Sequence, residues 1–182
     1  MVHRWSPFAI GEKSYDLSHL NGCNITSVRK ASDDGKNPEK IIKIYLTFGY
    51  HCFTEHFGDH VFNHPLGTSD EERYFCTRRY DLSKNLRALI EDILDKNPYL
   101  GRSFFRRHER FFYVEANYED ETYRVFMKIS KSNHPGSDVR IEVVSAYPED
   151  DYSDPVASDG RFRIHRIIDA KISGENLPKR QR

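Results

Sequence analysis

Between Phe111 and Tyr147 the chain alternates apolar and polar residues in three consecutive stretches, and a period of two leaves little choice of fold. The stretches are 111–118 (FFYVEANY), 122–130 (TYRVFMKIS) and 139–147 (VRIEVVSAY). Tyr123, Val125, Met127 and Ile129 fall on one side, as do Val139, Ile141 and Val143. Arg124, Lys128, Arg140 and Glu142 fall on the other. Half-buried strands have this pattern, because successive side chains point to opposite faces of a sheet. Glu119-Asp120-Glu121 and the segment 131–138 (KSNHPGSD) supply the turns of an antiparallel meander.

An earlier segment repeats the pattern. In 41–48 (IIKIYLTF), Ile42, Ile44, Leu46 and Phe48 oppose Lys43, Tyr45 and Thr47. A polar turn at 31–40 joins it to a strand holding Ile25 and Val28, and Gly49 suggests a bulge or bend. Residues 73–80 (RYFCTRRY) read as a short strand, with Asp81 or Ser83 as the N-cap of the one principal helix, about 82–97. Leu82, Leu86, Leu89, Ile90, Ile93 and Leu94 follow helical spacing, and Asn97-Pro98 stops it. Residues 161–168 (RFRIHRII) alternate again, with Phe162, Ile164 and Ile168 inward. The expected fold is therefore α+β, an antiparallel sheet with the helix packed on one face. One domain would cover 1–175, followed by a disordered tail at 176–182.

Composition narrows the function classes. Acidic and basic residues balance at 28 each, so nucleic-acid binding would have to come from a local patch. Aromatic content is high, with 12 Phe and 11 Tyr, as suits pleated surfaces. Cys23, Cys52 and Cys76 are odd in number and lack CxxC spacing, which argues for a reducing cytoplasm over a disulfide framework. Met1 to Trp5 lacks the apolar core of a signal peptide, and no run approaches the roughly 18 apolar residues of a membrane span. No Walker A, GxGxxG, GxSxG or kinase signature occurs.

Four groups of residues could carry chemistry. His51 ends the 41–54 strand opposite the Ile42/Leu46 stripe, where an imidazole on an open sheet face can act as general acid or base. With Cys52, His56, His60 and His64 it also forms a His/Cys-rich stretch over 51–64. Spacing of i, i+4 would suit zinc on a helix, but Gly58 and Pro65 oppose a helix there. The simpler reading is a polar loop without metal or cofactor. Arg78, Arg79 and Tyr80, with Ser83, precede the expected helix and could hold a phosphodiester, or the arginines could pair with nearby acids. In 102–113, Arg102, Arg106, Arg107 and Arg110 alternate with aromatic residues, as single-stranded nucleic-acid surfaces do. With Lys128 they are the candidate RNA contacts; the alternative is a solvated face over core phenylalanines. The fourth group is Ser145, Ala146, Tyr147 and Pro148 at a strand end, where a hydroxyl and a phenol can position a substrate.

That tetrad resembles the strand-closing Ser/Thr-Ala-Tyr-Pro of the barnase, EndoU, colicin and RelE-like ribonuclease toxins. The order of a helix followed by an antiparallel meander is also similar, over about 82–168. The chain further resembles bacterial or prophage proteins in general. The toxin resemblance implies metal-independent RNA cleavage by 2′-hydroxyl attack, with Ser145 and Tyr147 in the matching positions and an antitoxin as a protein partner. In this chain strict alternation puts both on the apolar face unless the strand bulges. The leading expectation is thus a toxin or phage-defence type protein that cleaves or binds RNA, with His51, Arg78, Arg79, Tyr80, Ser145 and Tyr147 at its site. The alternatives are a non-enzymatic interaction module of prophage or immunity type, and a zinc protein.

Overall fold

The computed structural model describes residues 4–31, 38–63, 72–105, 109–118, 121–148, 156 and 158–178. Its order begins with β1 (Phe8–Ile10), β2 (Lys13–Tyr15), β3 (Cys23–Arg29), β4 (Lys40–His51), β5 (Thr54–Glu55) and β6 (Tyr74–Phe75). Two helices follow, α1 (Thr77–Ser83) and α2 (Leu86–Lys96). Then come β7 (Tyr99–Phe105), β8 (Glu109–Tyr118), β9 (Glu121–Lys131), β10 (Val139–Pro148), β11 (Ser158–Arg163) and α3 (Ile164–Ser173). Seven strands form the main sheet in the order β11-β7-β8-β9-β10-β4-β3. Each neighbouring pair is antiparallel except β4 and β10, which run parallel.

The fold is α+β, as the alternation implies. One face of the sheet carries Ile42, Ile44, Leu46 and Phe48 beside Val139, Ile141 and Val143, then Tyr123, Val125, Met127 and Ile129, all buried. Against it pack Leu86, Ile90, Ile93 and Leu94 of α2 and Ile164, Ile167, Ile168 and Ala170 of α3. Each fully buried Leu or Ile contributes about 1.5–3 kcal/mol. Asp169 of α3 also accepts hydrogen bonds from Arg29 and Lys40, both at 2.7 Å, and so ties the helix to the β3/β4 hairpin. The same core continues into a ring-rich part made by Trp5, Phe53, Phe62, Phe75, Tyr15 and Tyr80.

Several elements differ from the sequence reading. The strand expected at 73–80 shrinks to Tyr74–Phe75, and Arg78, Arg79 and Tyr80 lie inside α1. Neither Asp81 nor Ser83 caps a helix: Cys76 and Asn85 occupy the N-cap positions of α1 and α2. The Ser83 hydroxyl instead donates to the Tyr80 carbonyl at 2.6 Å, a back-bond that competes with continuous helix. The end of α2 follows the reading. Asn97 takes the left-handed conformation at φ 49°, and its side-chain oxygen accepts the His165 N–H.

The stretch 161–168 changes structure midway, because α3 begins at Ile164. Ile164, Ile167 and Ile168 satisfy helical spacing as well as partial alternation, and Gly174 closes the helix at φ 79°. Residues 176–178 are not a loose tail: Leu177 is buried and the Pro178 carbonyl accepts from Arg102. Residues 179–182 lie outside the described part.

Candidate functional site

The site forms where the parallel pair ends. Between Val143 and Ser145 the register of β10 shifts against both neighbours. Before the shift, Val143 pairs with the core residues Met127 and Phe48; after it, Ser145 pairs with Phe126 and His51. Ala146 then pairs with Val125 and is fully buried, while Tyr147 pairs with Arg124. The bulge therefore moves Ser145 and Tyr147 from the apolar face to the open face, because one extra residue inverts side-chain alternation. Gly49 allows it. A Cβ there would come within 2.7 Å of the Val144 carbonyl oxygen. The irregularity expected at Gly49 is thus shared by both strands: β4 advances three residues from Phe48 to His51 while β10 advances two from Val143 to Ser145.

His51 is carried by a tight reversal at the end of β4. The Cys52 N–H donates to the Gly49 carbonyl and the Phe53 N–H to that of Tyr50, both at 3.1 Å. The half-buried His51 ring stacks on Tyr50 with centroids 4.3 Å apart. Next to it, Thr54 returns its hydroxyl to the Tyr50 carbonyl at 2.9 Å.

Two guanidinium groups converge on the Thr54 carbonyl. Arg79 Nη1 donates at 2.7 Å and Arg73 Nη2 at 3.0 Å. Arg73 is buried and also donates to the Thr54 hydroxyl at 3.3 Å. Arg79 lies over the Tyr147 ring, 5.0 Å from its centroid. Tyr147 in turn stacks beside Phe126, and Phe126 beside Tyr113, at 5.9 and 5.8 Å. A histidine, a hydroxyl, a phenol and a guanidinium thus meet at one end of the open face. Such a set can take up a proton and stabilise developing negative charge.

The other sequence candidates separate. Tyr80 does not join this site: it is buried against Tyr15, Phe75 and His19. Arg78 is exposed, about 100° around α1 from Arg79, so the two do not act as one clamp. Ser83 is buried and bonded to Tyr80, with its Oγ 2.8 Å from His19 Nε2. Burial holds the His19 pKa below the ordinary imidazole value.

Arg102 is overturned as an RNA contact. Its register partner is Phe112, on the helix-covered face, and its side chain is only 1% exposed. Two of its nitrogens bind the two Asp159 carboxylate oxygens, and its guanidinium lies over Phe162. Arg106 and Arg107 lie outside the described residues. Lys128 is exposed on the open face, in register with Glu142. Other cations of that face meet carboxylates, Arg124 with Glu115 and Arg140 with Glu142.

Among the described residues the zinc arrangement does not assemble. Cys52 is fully buried, donates its thiol to the Val143 carbonyl, and has its pKa pushed up to about 12 by burial. It thus faces away from His51. Among the described residues no three His, Cys, Asp or Glu side chains converge as metal ligands, and His64 lies outside those residues. No helix among the described residues is long and apolar enough to cross a membrane.

Sequence reasoning missed Arg73, read only as the start of a strand. No local signal marks it, because its partner Thr54 is 19 residues away. Residues 7–172 match the family model described as the YjaZ family, and the chain belongs to that family. No curated protein and no solved structure matches it.

Proposed function

We propose that this protein is a metal-independent ribonuclease of toxin or phage-defence type, acting on single-stranded RNA in a reducing cytoplasm. One observation carries the reading: the β10 bulge brings Ser145 and Tyr147 onto the open face beside His51, with the Arg79 guanidinium above Tyr147. His51 takes the proton of the ribose 2′-hydroxyl. The 2′-oxygen attacks phosphorus, the bond to the 5′-oxygen breaks, and the leaving oxygen takes a proton from water. Arg79 stabilises the charge that develops on the phosphoryl oxygens, and the hydroxyls of Ser145 and Tyr147 orient them. The products are a 2′,3′-cyclic phosphate and a 5′-hydroxyl. Lys128 extends the contact along the strand, and few phosphates are neutralised because Arg124 and Arg140 pair with acids.

The test is cleavage of a labelled single-stranded RNA oligonucleotide by purified protein. Cleavage should persist in EDTA and fall by about 10²-fold or more in His51→Ala. Log affinity should fall against log salt with a slope of about −0.7 per phosphate contacted. Intact RNA overturns the reading. Activity lost in EDTA and restored by zinc overturns the metal-free mechanism.

A non-enzymatic interaction module, or a surface for an antitoxin, draws on a different place. Val28 and Ile41 face each other across β3 and β4, 52% and 59% exposed. Substituting both with Ser leaves cleavage intact under the nuclease reading and removes partner binding under the module reading.

A further inference from the structure

We infer that Arg73 is the positioning residue of this site: its buried guanidinium fixes, through Thr54, both the turn that carries His51 and the guanidinium of Arg79. The inference rests on the nuclease reading for its kinetics, but its geometry stands apart. Arg73 is itself anchored, because its carbonyl accepts the Phe62 N–H at 2.7 Å. From there its side chain grips Thr54 at two atoms, the hydroxyl at 3.3 Å and the carbonyl at 3.0 Å. The hydroxyl so held donates to the Tyr50 carbonyl, which also receives the Phe53 N–H. His51 lies between these bonded residues, so the Thr54 grip helps to hold its backbone in place. The carbonyl held by Arg73 is also the one that Arg79 uses to rest above Tyr147.

A fork of donors in one plane suits this task. A guanidinium binds two acceptors at fixed angles, whereas an ammonium offers a point charge on a flexible stem. Charge alone is therefore not what Arg73 supplies.

The test compares Arg73→Met and Arg73→Lys with wild type in two assays. The first is steady-state cleavage of the same single-stranded RNA. The second is the NMR titration of the His51 imidazole, assigned by comparison with His51→Ala. Both variants should lose kcat by about 10–100-fold with KM nearly unchanged. The His51 resonances should shift in both. Its titration curve should differ from wild type in Arg73→Met and less in Arg73→Lys, because the turn that holds the imidazole is released.

If Arg73→Met fails to fold, Arg73→Lys decides. Wild-type kcat and unmoved His51 resonances in Arg73→Lys overturn the inference. Wild-type protein that leaves the RNA intact overturns the nuclease reading instead, and the His51 resonances still decide on Arg73.

Discussion

The guanidinium of Arg79 rests on a backbone carbonyl and a tyrosine ring at the end of the parallel pair, whereas that of Arg102 is closed against Asp159 toward the far edge of the sheet. Both arginines stand near aromatic residues in the sequence, Arg79 before Tyr80 and Arg102 two residues before Phe104, and both looked like groups that hold phosphate. The difference lies in what receives the charge. A carbonyl and a ring orient a cation without neutralising it. A carboxylate closed on a buried guanidinium cancels it and makes it part of the scaffold. Position next to aromatic residues therefore says little about whether an arginine can take a ligand; the acceptor it meets in the fold decides that.

The contrast can be broken by exchanging stability and activity readouts. Arg102→Met leaves the Asp159 carboxylate without its partner and should cost about 3–5 kcal/mol. Thermal unfolding should show it as a drop of roughly 6–20 °C. Arg79→Met should cost only about 1 kcal/mol, since Arg73 still satisfies the Thr54 carbonyl, yet it should abolish most cleavage. Equal losses of stability in the two variants would erase the distinction.

A smaller effect is expected at Gly49. An alanine Cβ would press on the Val144 backbone oxygen, which cannot swing aside as a side chain would. Gly49→Ala should destabilise by about 1–3 kcal/mol. It should also weaken cleavage beyond that loss, because the bulge that turns out Ser145 and Tyr147 must shift. A variant as stable and active as wild type would sink this account of the bulge.

The smallest effect is in pH. Burial holds the pKa values of His19 and His165 below the ordinary imidazole value. The folded state then binds fewer protons than the unfolded chain. Stability from this source is full above about pH 6.5 and declines as the pH falls through the ordinary value toward the lower folded ones. Urea midpoints measured from pH 8 to 5 should fall, and His165→Gln should flatten the curve. A midpoint that is level across this range would contradict the assignment.

Most of the sheet was legible because alternation reports one buried face directly. Ile42 to Phe48 and Tyr123 to Ile129 are core in the fold for the reason they alternate in the sequence. What stayed hidden is long-range. Alternation cannot register the bulge at Val143/Ser145, so it sets Tyr147 on the wrong face. It cannot distinguish antiparallel from parallel pairing of β4 with β10. It also cannot find Asp159, 57 residues from Arg102, or Thr54, the anchor of Arg73. The start of α3 was missed because Ile164 and Ile168 satisfy two periods at once.

The parallel pairing has a consequence in time. The Cys52 thiol reaches the Val143 carbonyl across 91 residues, and the helices α1 and α2 and the five strands β5 to β9 lie between. Contacts of such separation close a long loop and tend to slow folding. On a growing chain His51 emerges early, but its neighbours Ser145 and Tyr147 are the product of much later synthesis. A ribosome-bound fragment that stops before β10 holds half of the constellation and none of its geometry. Whatever this site does, the cell is exposed to it only once synthesis has passed β10.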